Sequence, residues 1–210
     1  MPTSRLVVTP PDRDELRAAA VSYLARYAST QAALTRVLDK RIDTWARKAG
    51  SRYEIGEQDR ATVTAAVTAA KALAREVVAS MAQVGAVDDL AFAETRASSL
   101  RRAGRSHRGV VAALAAKGID PGTARDVLEN DAVGGPTAEL TAAVRLARKR
   151  RIGPFRAGEA PDPPARMKEL AILARAGFAQ PVAHRALEME RAEAEDLLSA
   201  PPDQPAAADG

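Results

Sequence analysis

The sequence predicts an all-α protein built from tandem three-helix repeats in an elongated, curved arrangement. Apolar residues recur every three or four positions over several stretches, which is the spacing of one helix face. Glycines and short polar residues separate those stretches. The same order of helix-capping, core and helix-ending positions occurs more than once along the chain. Hydrophobic residues make up 46% of the 210-residue chain but aromatic residues only 3%, so we expect the helices to pack closely on small side chains.

The first predicted repeat spans residues 12–86 and follows a flexible arm, residues 1–11, that has no periodicity. Asp12 and Glu15 have the spacing of a capping box. The helix that they begin has an apolar face formed by Leu16, Ala20, Leu24 and Tyr27.

A second helix is predicted to begin at Ser29 or Thr30 and to end at Gly50. Its apolar stripe consists of Leu34, Leu38, Ile42, Trp45 and Ala49. Because Trp45 is in register with this stripe, we interpret it as a core residue rather than a ligand platform.

The third helix is predicted over about residues 57–84, with Gly85 at its end. Small and apolar residues alternate along it at spacings of four and three, at Val63, Val67, Ala70, Ala74, Val77, Met81 and Val84. This pattern is typical of a helix packed lengthwise on another. Alanine at two of these positions favours packing within one fold over a coiled coil with a partner protein.

The helix boundaries are clearest in the central repeat, residues 87–133. Its predicted helix boundaries are, in order, Asp88 or Asp89, Gly104, Ser106, Gly118 and Asp120 followed by Pro121. The two glycines suit left-handed positions just after a helix, where a Cβ would be strained. The third helix of this repeat is predicted to bury Ala124, Val127 and Leu128.

A linker at residues 134–136 leads to the third predicted repeat, residues 137–198. Thr137 and Asp162 with Pro163 are the predicted starts of its first two helices, and Gly177 ends the second. The residues expected to point inward are Leu140, Val144, Ala147, Leu170, Leu173, Ala174, Val182, Ala186, Leu187 and, in the same last helix, Leu197 and Leu198. Residues 199–210 are rich in proline and alanine and are predicted to be disordered.

An internal repeat supports this division. A shift of 59 residues places Leu114, Ala115, Gly118, Ala124 and Leu128 on Leu173, Ala174, Gly177, Ala183 and Leu187. A shift of 77 in the other direction places Ser106, Leu114, Lys117 and Ile119 on Ser29, Val37, Lys40 and Ile42. What recurs is one three-helix unit, which is too small to bury its apolar face without a stacked neighbour.

The cations are unevenly distributed although the net charge is only +4. No acidic residue occurs between Glu94 and Asp120 or between Glu139 and Glu159, and each interval holds six cations. Such blocks indicate a polyanionic partner, protein or nucleic acid, against the alternative of a solvated helix face. The candidate binding residues are Arg96, Arg101, Arg102, Arg105, Arg108, Lys117, Arg145, Arg148, Lys149 and Arg151.

The sequence contains no catalytic or metal-binding pattern. Cysteine is absent, and the two histidines, His107 and His184, belong to different repeats and have no metal-ligand spacing. We therefore expect neither an enzyme nor a cofactor. No apolar run is long enough to span a membrane, and no signal peptide is evident, so a cytoplasmic protein is expected.

The central segment resembles the RecX family, bacterial regulators of the RecA recombinase. The resemblance rests on an ordered set of positions over about forty residues: Asp88, Asp89, Phe92, Ala93, Arg102, Gly104, Leu114, Lys117, Gly118 and Ile119. It implies tandem three-helix repeats in a monomer that binds the RecA–DNA filament and limits filament growth, ATP hydrolysis and strand exchange. The first repeat departs from the family pattern, since residues 47–73 look like an addition.

A helical protein that binds DNA directly is the alternative, because residues 106–129 have the order of a helix-turn-helix. Its second helix offers only Arg125 and Asn130 to base edges and carries two acidic residues, which is unusual for a sequence reader. Non-specific contact with DNA phosphates stays open at this point.

Overall fold

The computed structural model describes residues 9–51, 57–130, 137–158 and 162–200, and over these ranges the chain is all-α, as predicted. The helices are α1 Arg13–Leu24, α2 Gln31–Ser51, α3 Glu57–Gln83, α4 Asp89–Arg102, α5 His107–Ala115, α6 Pro121–Asn130, α7 Ala138–Arg150, a 3-10 helix Gly153–Phe155, α8 Pro163–Arg175, α9 Gln180–Glu188 and α10 Arg191–Ser199. The chain forms two compact units, residues 1–92 and 93–210. The predicted linker at 134–136 lies outside the described residues.

The first unit is built on the two long helices α2 and α3, with α1 packed against both. Its buried core consists of Leu16, Ala20, Leu34, Leu38, Ile42, Ala70, Ala74, Val77, Val78, Met81 and Val87. Four of the seven small and apolar positions predicted along α3, Ala70, Ala74, Val77 and Met81, belong to this core, so α3 packs within the fold. Nζ of Lys71 on α3 lies 2.8 Å from a carboxylate oxygen of Asp43 on α2, and this hydrogen bond raises the pKa of Lys71.

Local capping begins α1 and α2 as predicted. Asp12 accepts a hydrogen bond from the Glu15 amide at 2.8 Å, and Glu15 accepts one from the Asp12 amide at 3.3 Å. For α2 the capping residue is Thr30, whose hydroxyl oxygen accepts from the Ala33 amide at 3.1 Å. The side chain therefore satisfies one of the amides that has no partner within the first helical turn.

Four predictions about the ends of this unit are wrong. Tyr27 lies beyond the end of α1 and is 55% exposed, and Val84 lies beyond the end of α3 and is 74% exposed. The helix α2 continues through Gly50, since one glycine costs only about 1 kcal/mol in a helix. Pro11, assigned to the flexible arm, is buried, and residues 1–8 lie outside the described part.

Trp45 is half-buried rather than a core residue. Its indole Nε1 is buried and has no hydrogen-bond partner among the described residues. The buried residues of the α2 stripe end at Ile42, so Trp45 lies beyond the fully buried core.

The two adjacent aspartates at the start of α4 cap two different helices. Asp88 accepts from the Ala91 amide at 2.9 Å, which makes it the cap of α4. Asp89 instead accepts from the amide of Gln31, the first residue of α2, at 2.8 Å. This second contact spans 58 positions of sequence, so helix spacing gives no signal for it.

The predicted boundaries of the central helices are confirmed. Ser106 accepts from the Gly109 amide at 3.0 Å, and Asp120 accepts from the Thr123 amide at 3.0 Å. Gly104 and Gly118 have φ angles of 81° and 89°, in the left-handed region that favours glycine. Ala124, Val127 and Leu128 are buried as predicted.

The C-terminal helices share a core of small and apolar residues: Ala142, Ala143, Val144, Ala147, Ile152, Leu173, Phe178, Ala183, Ala186, Leu187, Met189 and Ala194. Asp162 caps α8 as predicted, accepting from the Ala165 amide at 2.8 Å. Thr137 makes no side-chain cap on α7, because its own backbone is already helical.

Two further expectations about this region are corrected. Ala174 is exposed, since it precedes the turn at Gly177 on the outer side of α8. The predicted last helix is two helices, α9 and α10, divided at Met189, whose buried side chain faces the core. The tail predicted as disordered from Ser199 overlaps the end of α10, and residues 201–210 lie outside the described part.

The internal repeat has matching local structure at a shift of 59. Leu114 and Leu173 are both fully buried, and the stop glycines Gly118 and Gly177 have φ angles of 89° and 91°. At the shift of 77, Ile119 and Ile42 are both buried, but Leu114 falls on the half-buried Val37. The caps Ser106 and Thr30 are 76 positions apart (106 − 30), and at that shift Leu114 falls on the fully buried Leu38. The stacking of three repeats in a curved arrangement stays a prediction.

Candidate functional site: a basic groove

A groove of about 420 Å³ opens in the second unit where three helix ends meet. It is lined by residues of the α4–α5 turn, by the last turns of α7 and by the last turns of α8: Ala103, Gly104, Arg105, Leu146, Lys149, Arg150, Ile172, Arg175 and Ala176. We call this the basic groove, because four of these residues are cations and none is acidic.

The four cations of the basic groove are Arg105, Lys149, Arg150 and Arg175, and all are exposed. None of them forms an ion pair with a carboxylate in the described part of the chain, whereas five other arginines of this unit do. Arg191 pairs with Glu195 at 2.9 Å, and Arg156 pairs with Glu169. A concentration of unpaired positive charge on a concave surface attracts anions over distance.

Gly104 places the α4–α5 turn directly on α7. A Cβ at this position would lie 3.2 Å from the carbonyl oxygen of Ala142 and 3.3 Å from the amide nitrogen of Leu146. Both distances are shorter than an ordinary Cβ contact, so a side chain here would displace its neighbours, and the φ angle of 81° favours glycine as well. The close contact sets Arg105 beside the end of α7.

Ser106 joins the start of α5 to the end of α8. Its hydroxyl donates to the carbonyl oxygen of Ala176 at 2.6 Å, while the same oxygen accepts from the Gly109 amide at 3.0 Å. Ser106 is fully buried, and a Cβ at Gly177 would lie only 2.8 Å from its Oγ. The cap predicted from sequence therefore also fixes the position of α8, and with it Arg175.

A buried ion pair connects α4, α5 and α7. The guanidinium of Arg101 donates to Glu139 at 2.6 Å, and the backbone amide of His107 donates to the same carboxylate at 2.9 Å. Arg101 is only 5% exposed. Its expected role in an exposed binding surface is therefore wrong, because its charge is already neutralised inside the fold.

The other predicted binding residues divide by position. Arg105 and Lys149 line the basic groove. Those exposed elsewhere on the unit are Arg96, Arg102, Arg108, Lys117, Arg148 and Arg151, and Arg145 is half-buried. Arg102 donates to the hydroxyl of Ser98 at 2.8 Å, and Arg151 ends α7 with a left-handed φ of 55°.

Sequence reasoning missed Arg150 and Arg175 as groove residues. Arg150 lies in the second acid-free interval, so the charge pattern indicates it, although it is not among the candidate binding residues. Arg175 lies outside both intervals. It is three residues from Ile172, on the same side of α8, and the packing of α8 brings it to the groove.

The histidines do not form a reactive site. The carboxylate of Glu139 contacts the backbone amide of His107, and the ring of His184 lies 3.5 Å from Glu188 on an exposed helix face. Over the described ranges, no three residues of metal-binding type are grouped together. Within the same ranges, none of the helices has the length and apolar character needed to cross a bilayer.

Two curated proteins are similar to this chain. One, named Regulatory protein RecX, from Agrobacterium fabrum, is 39% identical over 132 residues, which cover 63% of this chain and 68% of that protein. The other, from Myxococcus xanthus and of the same name, is 35% identical over 173 residues, covering 82% of this chain and 84% of the relative. No family model matches the sequence. No solved structure matches it either.

Both relatives carry the name of a regulatory protein rather than an enzyme, and the match to the second spans both structural units. Identities of 35–39% over most of the chain agree with the ordered set of positions in the central segment. The chain belongs to the RecX family.

Proposed function

We propose that this protein regulates the RecA recombinase by binding the RecA–DNA filament, and that it has no catalytic activity of its own. Membership of the RecX family is the observation that carries the proposal. A bound monomer contacts adjacent RecA subunits, and its presence limits filament growth, ATP hydrolysis and strand exchange.

The charge distribution supports a polyanionic partner of this kind. After Arg101 is removed from the candidate surface, the proposed contacts are Arg96, Arg102, Arg105, Arg108, Lys117, Arg145, Arg148, Lys149 and Arg151, together with Arg150 and Arg175 from the basic groove. Exposed cations contribute little to folding stability, so a surface of them is better explained by attraction to a partner.

Co-sedimentation with preformed RecA filaments on single-stranded DNA tests the proposal. We expect the protein to be retained on filaments and to suppress their ATPase activity at well below one molecule per RecA subunit, since each bound molecule affects its neighbours along the filament.

Direct binding to DNA gives a different result in the same assay. A competitor for the strand must cover it, so its inhibition would disappear when DNA is in excess, and it would not be retained on filaments that are already formed. That combination would contradict the proposed function and favour a DNA-binding protein.

A further inference from the structure

We propose that the basic groove binds an acidic peptide segment of the partner protein, one that carries an apolar side chain between carboxylates. The identity of the partner rests on the proposed function, but the class of ligand is inferred from the lining of the groove. Three features of that lining carry the inference: apolar side chains, cations from three elements, and backbone amides that are already hydrogen-bonded to carbonyl oxygens.

Part of the groove lining is apolar, and we call this part the floor. It consists of Leu146, Ile172 and Ala176, which are half-buried, and Ala103, which is exposed. An apolar side chain from a ligand would remove these surfaces from water and gain roughly 25 cal/mol for each Å² of apolar area buried. A phosphodiester backbone has no apolar group to place on this floor, whereas a peptide does.

The cations of the groove come from separate elements. Arg105 comes from the α4–α5 turn, Lys149 and Arg150 from the end of α7, and Arg175 from the end of α8. The planar guanidinium can bind a carboxylate with two parallel hydrogen bonds, and Arg156 of this unit binds Glu169 in that way. Carboxylates placed on both sides of an apolar residue would complete the pairs that the groove cations lack.

The groove is less suited to binding a phosphate. Phosphate sites in proteins commonly use the free backbone amides at a helix N-terminus. Here α7 and α8 reach the groove through their C-terminal ends, which carry partial negative charge. At the start of α5, the amides of His107 and Gly109 are already occupied by Glu139 and Ser106. Anion binding therefore depends on side chains alone.

The groove is held in shape before any ligand binds. Gly104 fixes the turn against α7, and the hydrogen bond from Ser106 to Ala176 fixes α8 against α5. Binding therefore needs to order only the ends of the cationic side chains. A preformed groove lowers the entropic cost of binding a short segment, so a peptide of a few residues suffices.

Fluorescence anisotropy with a synthetic peptide tests this proposal. The probe is a labelled peptide with one leucine between two runs of glutamate, and its comparison probes are the same peptide with serine for leucine and a labelled oligothymidylate. We expect the serine peptide to bind about tenfold more weakly, because the apolar contact is lost. The double variant Arg150→Glu with Arg175→Glu should also weaken the leucine peptide about tenfold or more.

A matched control is Arg125→Glu on α6. Arg125 is exposed, makes no ion pair in the described part of the chain and does not line the groove. This variant changes net charge by the same amount per residue, so it should leave peptide binding nearly unchanged. The double variant changes the net charge by twice as much, so a loss of binding free energy half as large in Arg125→Glu would show that only net charge matters and would overturn the site.

Other outcomes separate this inference from the proposed function. Oligothymidylate that binds as tightly as the leucine peptide, with the same loss in the groove variant, would make this a phosphate site and reject the peptide. A groove variant that loses the peptide but co-sediments normally with filaments also contradicts the inference, while the proposed function stands. Wild-type protein that binds the peptide but no filament contradicts the proposed function and leaves the groove chemistry supported.

Discussion

Arginine serves two different purposes within the second unit. At the Arg101–Glu139 pair the guanidinium is 5% exposed and its carboxylate partner also accepts from the His107 amide. In the basic groove Arg105, Arg150 and Arg175 are exposed and have no carboxylate partner among the described residues. The residue type is the same, but the first arginine connects helices and the others are free for a ligand.

The difference has a physical consequence that can be measured. Removing one member of a buried pair leaves the other charge without compensation, which costs about 3–5 kcal/mol. Removing an exposed cation usually changes stability by less than about 0.5 kcal/mol. Substitution of the buried, paired arginine should therefore lower the free energy of unfolding, whereas substitution of an exposed, unpaired arginine should weaken partner binding.

The largest expected effect is that of Arg101→Ser. We expect the free energy of unfolding to fall by about 3 kcal/mol, the lower end of the range because the Glu139 side chain is 28% exposed. Thermal and urea unfolding would measure it. Arg102→Ser, at the adjacent exposed position, is the control and should be nearly neutral. Equal melting of the two variants would mean that burial does not distinguish these arginines.

A double variant sharpens this prediction. Glu139→Gln removes the carboxylate charge that Arg101→Ser leaves behind, so the two changes together should cost less than their sum. Strict additivity of the two free-energy changes would show that the ion pair is not the source of the loss.

An intermediate effect is expected at Gly177, which lies beside the basic groove. Gly177→Ala places a Cβ 2.8 Å from Oγ of Ser106 at a backbone φ of 91°, so it should cost about 2–3 kcal/mol through left-handed strain and a weakened hydrogen bond to Ala176. Gly85→Ala is the matched control, because it has a φ of 71° but nothing within 4 Å. It should cost only about 1–2 kcal/mol, from strain alone.

Gly177→Ala should also weaken the leucine peptide, since α8 carries Arg175. A Gly177 variant no less stable than the Gly85 variant would contradict the close contact between α5 and α8.

The smallest effect on stability is expected for exposed cations outside the groove. A variant with serine at Arg102, Arg108 and Arg148 should melt like the wild type and bind filaments more weakly. The salt dependence of its affinity for the filament distinguishes phosphate from carboxylate groups on the partner. Loss of phosphate contacts would reduce the slope of log affinity against log salt by about 0.7 for each contact, whereas loss of carboxylate contacts would act mainly on the association rate. Unchanged filament binding would assign these three residues to a solvated face.

Local sequence determined most of the helix boundaries. Asp12, Ser106, Asp120 and Asp162 each cap the helix that follows them, through a bond to an amide three residues along. Such a bond depends only on the identity and spacing of nearby residues, so it can be read without a structure. The family was likewise evident from the order of positions between Asp88 and Ile119.

Tertiary structure decided what the side chains do beyond their own helix. Sequence grouped Arg101 with Arg105, but Glu139, 38 positions away, withdraws Arg101 from the surface. Asp89 caps a helix that begins 58 positions earlier, and Arg175 joins the basic groove only because Ser106 and Gly177 bring α5 and α8 together. Periodicity identifies which face of a helix is apolar, but which partner meets a polar side chain depends on packing between distant segments. The sequence alone thus determined the helices and the family, and the packing determined which cations are available to bind.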